Sequence, residues 1–128
     1  FQDLQDAPLD PAVDGPMLEK HPAFPAKTNV EFVRQVDATT FDVVVWERGC
    51  GFTLACGTGA CATTVAARLA GKLQGTRATV RLPGGSLAIE WSGDSQAPVW
   101  MTGPAIYAFE GTLPDAVLLE VYGAAVPA

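Results

Sequence analysis

The chain has 128 residues and a formal net charge of −6, with 48% hydrophobic and 17% charged residues. A chain of this size and apolarity can bury one core, which excludes a disordered segment, a coiled coil and a collagen-like rod. Its 8 basic residues against 14 acidic ones give no clustered positive charge for a nucleic-acid face, and no apolar run approaches the ~20 residues of a membrane span.

Residues 1–27 are punctuated by Pro8, Pro11, Pro16, Pro22 and Pro25, with Asp3, Asp6, Asp10 and Asp14 between them. The stretch reads as an inter-domain connector and loop-rich entry. A short helical turn is expected over 16–20, with Asp14 as its N-cap. One domain is expected over 28–123, with 124–128 as a tail. Residues 28–36 (TNVEFVRQV) put Val30 and Phe32 on one face and Glu31 on the other; 41–47 (FDVVVWE) are β-branched and aromatic. These predict two antiparallel strands joined across 37–40.

Gly49, Gly51, Gly57 and Gly59 follow in quick succession. From 60 to 70 runs ACATTVAARLA, small and apolar nearly all round, ended by Gly71. A helix without a polar face is expected to be enclosed on most sides. Strands are then predicted over 78–82 and 86–91, flanking the turn Pro83-Gly84-Gly85, and over 99–102, 106–109 and 117–122. About seven strands around one central buried helix give an α+β fold with a curved, barrel-like, mostly antiparallel sheet. Trp46, Trp91 and Trp100 are expected in the core or as an apolar wall.

Cys50, Cys56 and Cys61 are odd in number and tightly clustered, unlike a secreted disulfide framework. With no CxxC and a single histidine, His21, a four-ligand zinc site lacks ligands. Free thiols in a reducing cytoplasm are the expectation.

Chemistry concentrates between Glu47 and Cys61. Cys56 precedes the helix, and Gly57, Thr58 and Gly59 would leave backbone N–H groups unpaired at its start. Such an end attracts anions and lowers the pKa of a thiol placed there. One segment could therefore supply a reactive thiolate and a carboxylate cradle. The same residues also suit a tight strand-to-helix turn with Cys56 as a small buried hydrophobe. No Gly-Lys-Ser/Thr follows, so a nucleotide phosphate loop is not indicated. Cys61, five residues along, is turned by about 140° and assigned to the core. Cys56 is expected to be the first thiol to alkylate. Glu47 and Arg48, adjacent at a strand end, suit the ammonium and carboxylate of an amino acid, or are two solvated charges. Asn29 is a turn residue or a substrate amide, and His21 is a loop histidine.

The segments HPAFPAKTNVEFV (21–33), VWERGCG (45–51), TLACGTGACA (53–62), LPGGSLAIEW (82–91) and VWMTGPA (99–105) resemble the C-terminal half of diaminopimelate epimerases. The resemblance covers nearly the whole chain. It implies a cofactor-independent isomerase, without a metal, that interconverts LL- and meso-diaminopimelate on the way to lysine and peptidoglycan. It also implies two similar domains, each wrapping a barrel-like sheet around a helix and each presenting one catalytic cysteine.

Carried over, Cys56 is the second catalytic cysteine. Gly57 and Thr58 offer N–H groups to the α-carboxylate, Asn29 and Arg48 hold the distal carboxylate, and Glu47 contacts substrate amino groups and polarises the site. The expected partners are the substrate and an N-terminal epimerase domain carrying the other cysteine, in a cytoplasmic enzyme that is expected to be a homodimer. The family usually reads Gly-Glu-Thr where this chain has Gly51-Phe52-Thr53, and Cys50 stands where a small residue such as alanine is common. Phe52 is expected to be supportive rather than catalytic. The chain begins where the family's Gly-Asn-Pro-His segment ends, which favours a fragment or separated domain. The rival readings are a proline-racemase-type isomerase domain and a non-catalytic half-domain acting as a binding or assembly module.

Overall fold

Asp37 closes the first hairpin. Its Oδ1 accepts the N–H groups of Thr39 and Thr40, both at 2.8 Å, an Asx-type turn that reverses the chain. In the computed structural model, which describes residues 9–123, this turn joins β1 (Val30–Gln35) to β2 (Thr40–Glu47) in antiparallel register. Phe1, Asp3, Asp6, Pro8 and the 124–128 tail lie outside the described residues.

Along β2 every second residue is buried, and Phe41, Val43 and Val45 point to one face. β4 (Arg77–Leu82) repeats the pattern with Ala78, Val80 and Leu82. It turns through Pro83-Gly84 into β5 (Gly85–Glu90), which pairs with β6 (Trp100–Thr102). The two-residue β3 (Gly51–Phe52) pairs back onto the end of β2. The order is β1-β2-β4-β5-β6 with β3 beside β2. Only β2 and β4 run parallel. This is an α+β fold with a six-stranded, mostly antiparallel sheet that does not close.

α2 (Gly57–Leu69) lies on the face carrying Phe41, Val43 and Val45. Its buried positions Gly59, Ala60, Thr63, Thr64 and Ala67 form one helical stripe. Small residues there let the helix approach the strands, and each fully buried Phe, Val or Ile opposite contributes roughly 1.5–3 kcal/mol by leaving water. Thr58, Ala62 and Leu69 stay exposed. The sheet, which does not close, wraps the buried stripe of the helix and leaves these three positions to solvent.

The opposite face of β2 receives α1 (Pro11–Glu19). Asp10, not Asp14, caps this helix. Asp10 accepts the Ala12 N–H at 2.9 Å, while Asp14 reaches back to accept the Asp10 N–H at 2.7 Å. This reciprocal pair starts the helix earlier than the 16–20 turn expected from the sequence. A Cβ on Gly15 would lie 2.8 Å from the indole of Trp46, so glycine is what lets α1 seat against β2.

Two expected strands are absent. Residues 106–109 form no strand; Ile106, Tyr107 and Phe109 are 88%, 91% and 86% exposed, and the stretch pairs with neither free edge of the sheet, β1 nor β6. The 117–122 stretch belongs to the helix α3 (Asp115–Tyr122). Pro114 before it and Gly123 after it, with Gly123 at φ 67° closing onto the Leu119 carbonyl, are helix punctuation that outweighed the β-branched content. Trp91 is buried as expected, but Trp100 is 67% exposed, since β6 lies at the sheet edge.

Candidate functional site

The site is built where β2 runs out. Glu47 and Gly51 pair across a tight reversal whose Gly49 and Gly51 adopt φ of 79° and 78°. Those left-handed angles favour glycine. The turn delivers Glu47 and Arg48 at one end of the sheet. Thr53 Oγ1 donates to Glu47 Oε1 at 2.5 Å and fixes that carboxylate. Arg48 is exposed; its Nη1 donates to the Ala26 carbonyl at 3.1 Å, and no carboxylate of the described residues pairs with it. Phe52 sets its ring edge-on to Trp46 with centroids 5.1 Å apart.

Cys56 is the N-cap of α2, in extended conformation, with no side-chain capping bond. Its Sγ lies 3.4 Å from Thr58 Oγ1. The N–H groups of Gly57, Thr58 and Gly59 belong to the first turn and find no acceptor among the described residues. They provide the partial positive end that favours an anion. Met101 of β6 overhangs this end, its Sδ 3.0 Å from where a Gly57 Cβ would stand.

Asn29 ties the turn to the helix end. Its Oδ1 accepts the Arg48 N–H at 2.9 Å, and its Nδ2 points at Cys56 Sγ at 4.0 Å. An open cleft of about 330 Å³ lies between them, lined by Lys27, Asn29, Glu31, Arg48, Thr58 and Gly59 among others. Cys56, 6% exposed, sits behind this lining rather than in it.

The expected site residues Asn29, Glu47, Arg48, Cys56, Gly57 and Thr58 thus gather around the end of β2 and the start of α2. Cys61 packs against the core, where burial first, and the Cys56 charge second, raise its thiol pKa. His21 is a loop residue whose Nδ1 accepts the Ala23 N–H at 3.2 Å. Cys50 stands exposed in the turn. The expectation that Cys56 alkylates first therefore reverses on grounds of access. Brief iodoacetamide treatment followed by peptide mapping should label Cys50 well ahead of Cys56; labelling of Cys56 at an equal rate would show that the helix end opens in solution.

Two acidic residues were missed as parts of this region. Glu31 pairs with Val45 and so shares the face that looks at α2. A Cβ on Gly59 would lie 3.0 Å from Glu31 Oε1 and 3.3 Å from Cys56 Sγ. Burial, and secondarily the nearby Glu47 charge, raise the Glu31 pKa. Glu19, at the end of α1, is 4% exposed and bonded to the turn after Arg48. The β1–β2 register carries the signal for Glu31; nothing local to Glu19 pointed to its partners. Among the described residues no group of three or more His, Cys, Asp and Glu is placed to hold a metal ion. No described helix is long and apolar enough to cross a membrane.

A family model described as diaminopimelate epimerase matches residues 2–108. The chain is similar to proteins named diaminopimelate epimerase in several organisms. It is 56% identical to that of Synechococcus sp. (strain JA-2-3B'a(2-13)) over 104 residues, 81% of this chain and 36% of that protein. It is 56% identical to that of Thermosynechococcus vestitus over 112 residues, covering 84% and 39%. It is 51% identical to that of Methanococcus maripaludis over 113 residues, covering 88% and 39%. The chain spans a little over a third of the length of these relatives.

Proposed function

The chain belongs to the diaminopimelate epimerase family, and from that premise we propose that it supplies one face of an active site that inverts the α-carbon of diaminopimelate. The reaction interconverts the LL and meso forms, a step toward lysine and peptidoglycan in the cytoplasm. The observation that carries this reading is the placement of Cys56 at an uncapped helix start, with Asn29 between its sulfur and the Arg48 turn.

Inversion at Cα needs a base on one face and an acid on the other. In this reading the thiolate of one cysteine takes the α-proton, and an opposed thiol gives a proton to the other face. Cys56 is one of the pair. The other comes from a second domain of the same family fold, and a homodimer is the proposed assembly. The protons are moved by protein thiols alone.

As the α-proton leaves, negative charge grows on the α-carboxylate. The N–H groups of Gly57 and Thr58 are aimed where that charge develops, so they stabilise the transition state more than the ground state. Glu47, held by Thr53, meets the ammonium and adds to the field. Arg48 and Asn29 hold the far carboxylate, which fixes the stereocentre relative to Cys56.

The test is turnover in deuterium oxide by the full-length enzyme carrying this segment. LL-diaminopimelate should give the meso form with one solvent deuteron at the inverted carbon. Proline offered in its place should be inert. Racemisation of proline, or inversion that retains the original hydrogen, would displace this reading.

A further inference from the structure

We propose that Glu19 is a positioning residue that locks the Arg48 turn and the Asn29 loop into one carboxylate-gripping unit; this rests on the function proposed above. Glu19 is the last residue of α1 and 4% exposed. A carboxylate so buried is costly unless donors surround it. Two hydrogen bonds and an ion pair do so. The Trp46 indole N–H reaches Oε2 at 2.9 Å, the Gly49 N–H reaches Oε1 at 3.2 Å, and Lys27 Nζ lies 3.7 Å from Oε1. The Trp46 bond is the main cause that holds the carboxyl below its usual range.

The sequence positions of these donors are the point. Gly49 follows Arg48 directly, and Lys27 precedes Asn29 by two residues. The Glu19 backbone carbonyl also accepts the Thr28 N–H at 3.2 Å. One residue therefore clamps the chain on the far side of Arg48 and on the near side of Asn29. The Asn29–Arg48 bond at 2.9 Å then closes the loop. The guanidinium and the Asn29 amide keep a fixed separation only while both attachments hold. The Gly15 contact with Trp46 also seats α1 on β2, and a change at Glu19 leaves that contact in place.

Glu19→Gln keeps the size but not the chemistry. An amide offers one acceptor oxygen and turns its NH2 toward the other donor, so either Trp46 or Gly49 loses its partner. In the full-length enzyme, KM for diaminopimelate should rise about tenfold with kcat changed by less than about twofold, the pattern of lost binding rather than lost chemistry. Inhibition by lysine, which lacks the distal carboxylate, should not change. Trp46→Phe removes one donor and leaves the carboxylate, so it should move KM in the same direction by less. The Gly49 amide proton should exchange faster in Glu19→Gln than in the unmutated enzyme. Absence of turnover by the unmutated enzyme would overturn the substrate reading itself. Unchanged KM in Glu19→Gln, or equal weakening toward diaminopimelate and lysine, would overturn the role of Glu19 alone. An unchanged Gly49 exchange rate would overturn the clamp.

Discussion

Replacing Cys56 by alanine in the full-length enzyme is expected to abolish net epimerisation, with kcat/KM down by at least about a thousandfold, within the range for loss of a positioned acid or base. Inversion requires a proton acceptor and a donor on opposite faces of Cα. Cys61, packed into the core five residues along the helix, cannot replace the lost thiol. Cys50 sits in the exposed turn and is not at the helix end. The change should act on chemistry and not on binding. The Gly57 and Thr58 N–H groups are backbone, and the nearest polar contacts of the sulfur, Thr58 Oγ1 at 3.4 Å and Asn29 Nδ2 at 4.0 Å, are long. Affinity for a non-reacting analogue should accordingly stay within a few-fold. Serine should rescue poorly, because its hydroxyl is far less acidic than a thiol. Steady-state kinetics in both directions, with an inhibitor titration, separate these effects; near-normal turnover by Cys56→Ala would remove Cys56 from the reaction.

The strands and α2 were legible because their signals are local. The β-branched and aromatic run of β2, the Asp37 and Pro83-Gly84 turns and the small-residue run after Gly59 each specify an element within ten residues or so. The candidate site was legible for a different reason: all its expected residues but Asn29 cluster in two short segments, at the end of β2 and the start of α2, so their sequence neighbours are also their spatial neighbours. What escaped was set at longer range. Glu31 faces α2 because of the β1–β2 register, which pairs it with Val45; composition alone put it on the side away from Phe32 without saying which side held the helix. Glu19 meets Trp46 and Gly49 across roughly thirty positions, and only the docking of α1 brings them together. The 106–109 stretch has a strand's composition, but a strand forms only by pairing with another, and this stretch docks on neither β1 nor β6.

Arg48→Lys should lower kcat/KM for diaminopimelate by about a hundredfold, far more than the preserved charge suggests. The reason lies in how the guanidinium is already used. Its Nη1 is committed to the Ala26 carbonyl at 3.1 Å, which anchors the plane, while its other N–H groups can meet a carboxylate in parallel. A lysine ammonium has three donors on one atom and no plane. If it bonds to Ala26 it turns from the ligand, and if it turns to the ligand the anchor is lost. The far carboxylate is then held at one point instead of two, and the stereocentre can swing relative to Cys56. Here the contact itself is removed, whereas Glu19→Gln leaves the guanidinium in place, so the loss should appear in kcat as well as KM. The turn itself should survive, because the bond from the Arg48 N–H to Asn29 Oδ1 involves only the backbone of residue 48. Circular dichroism and thermal melting should therefore match the unmutated enzyme. The affinity of lysine, which has no distal carboxylate, should also be unchanged. Unaltered kcat/KM, or a loss shared equally with lysine binding, would mean that Arg48 does not hold the distal carboxylate.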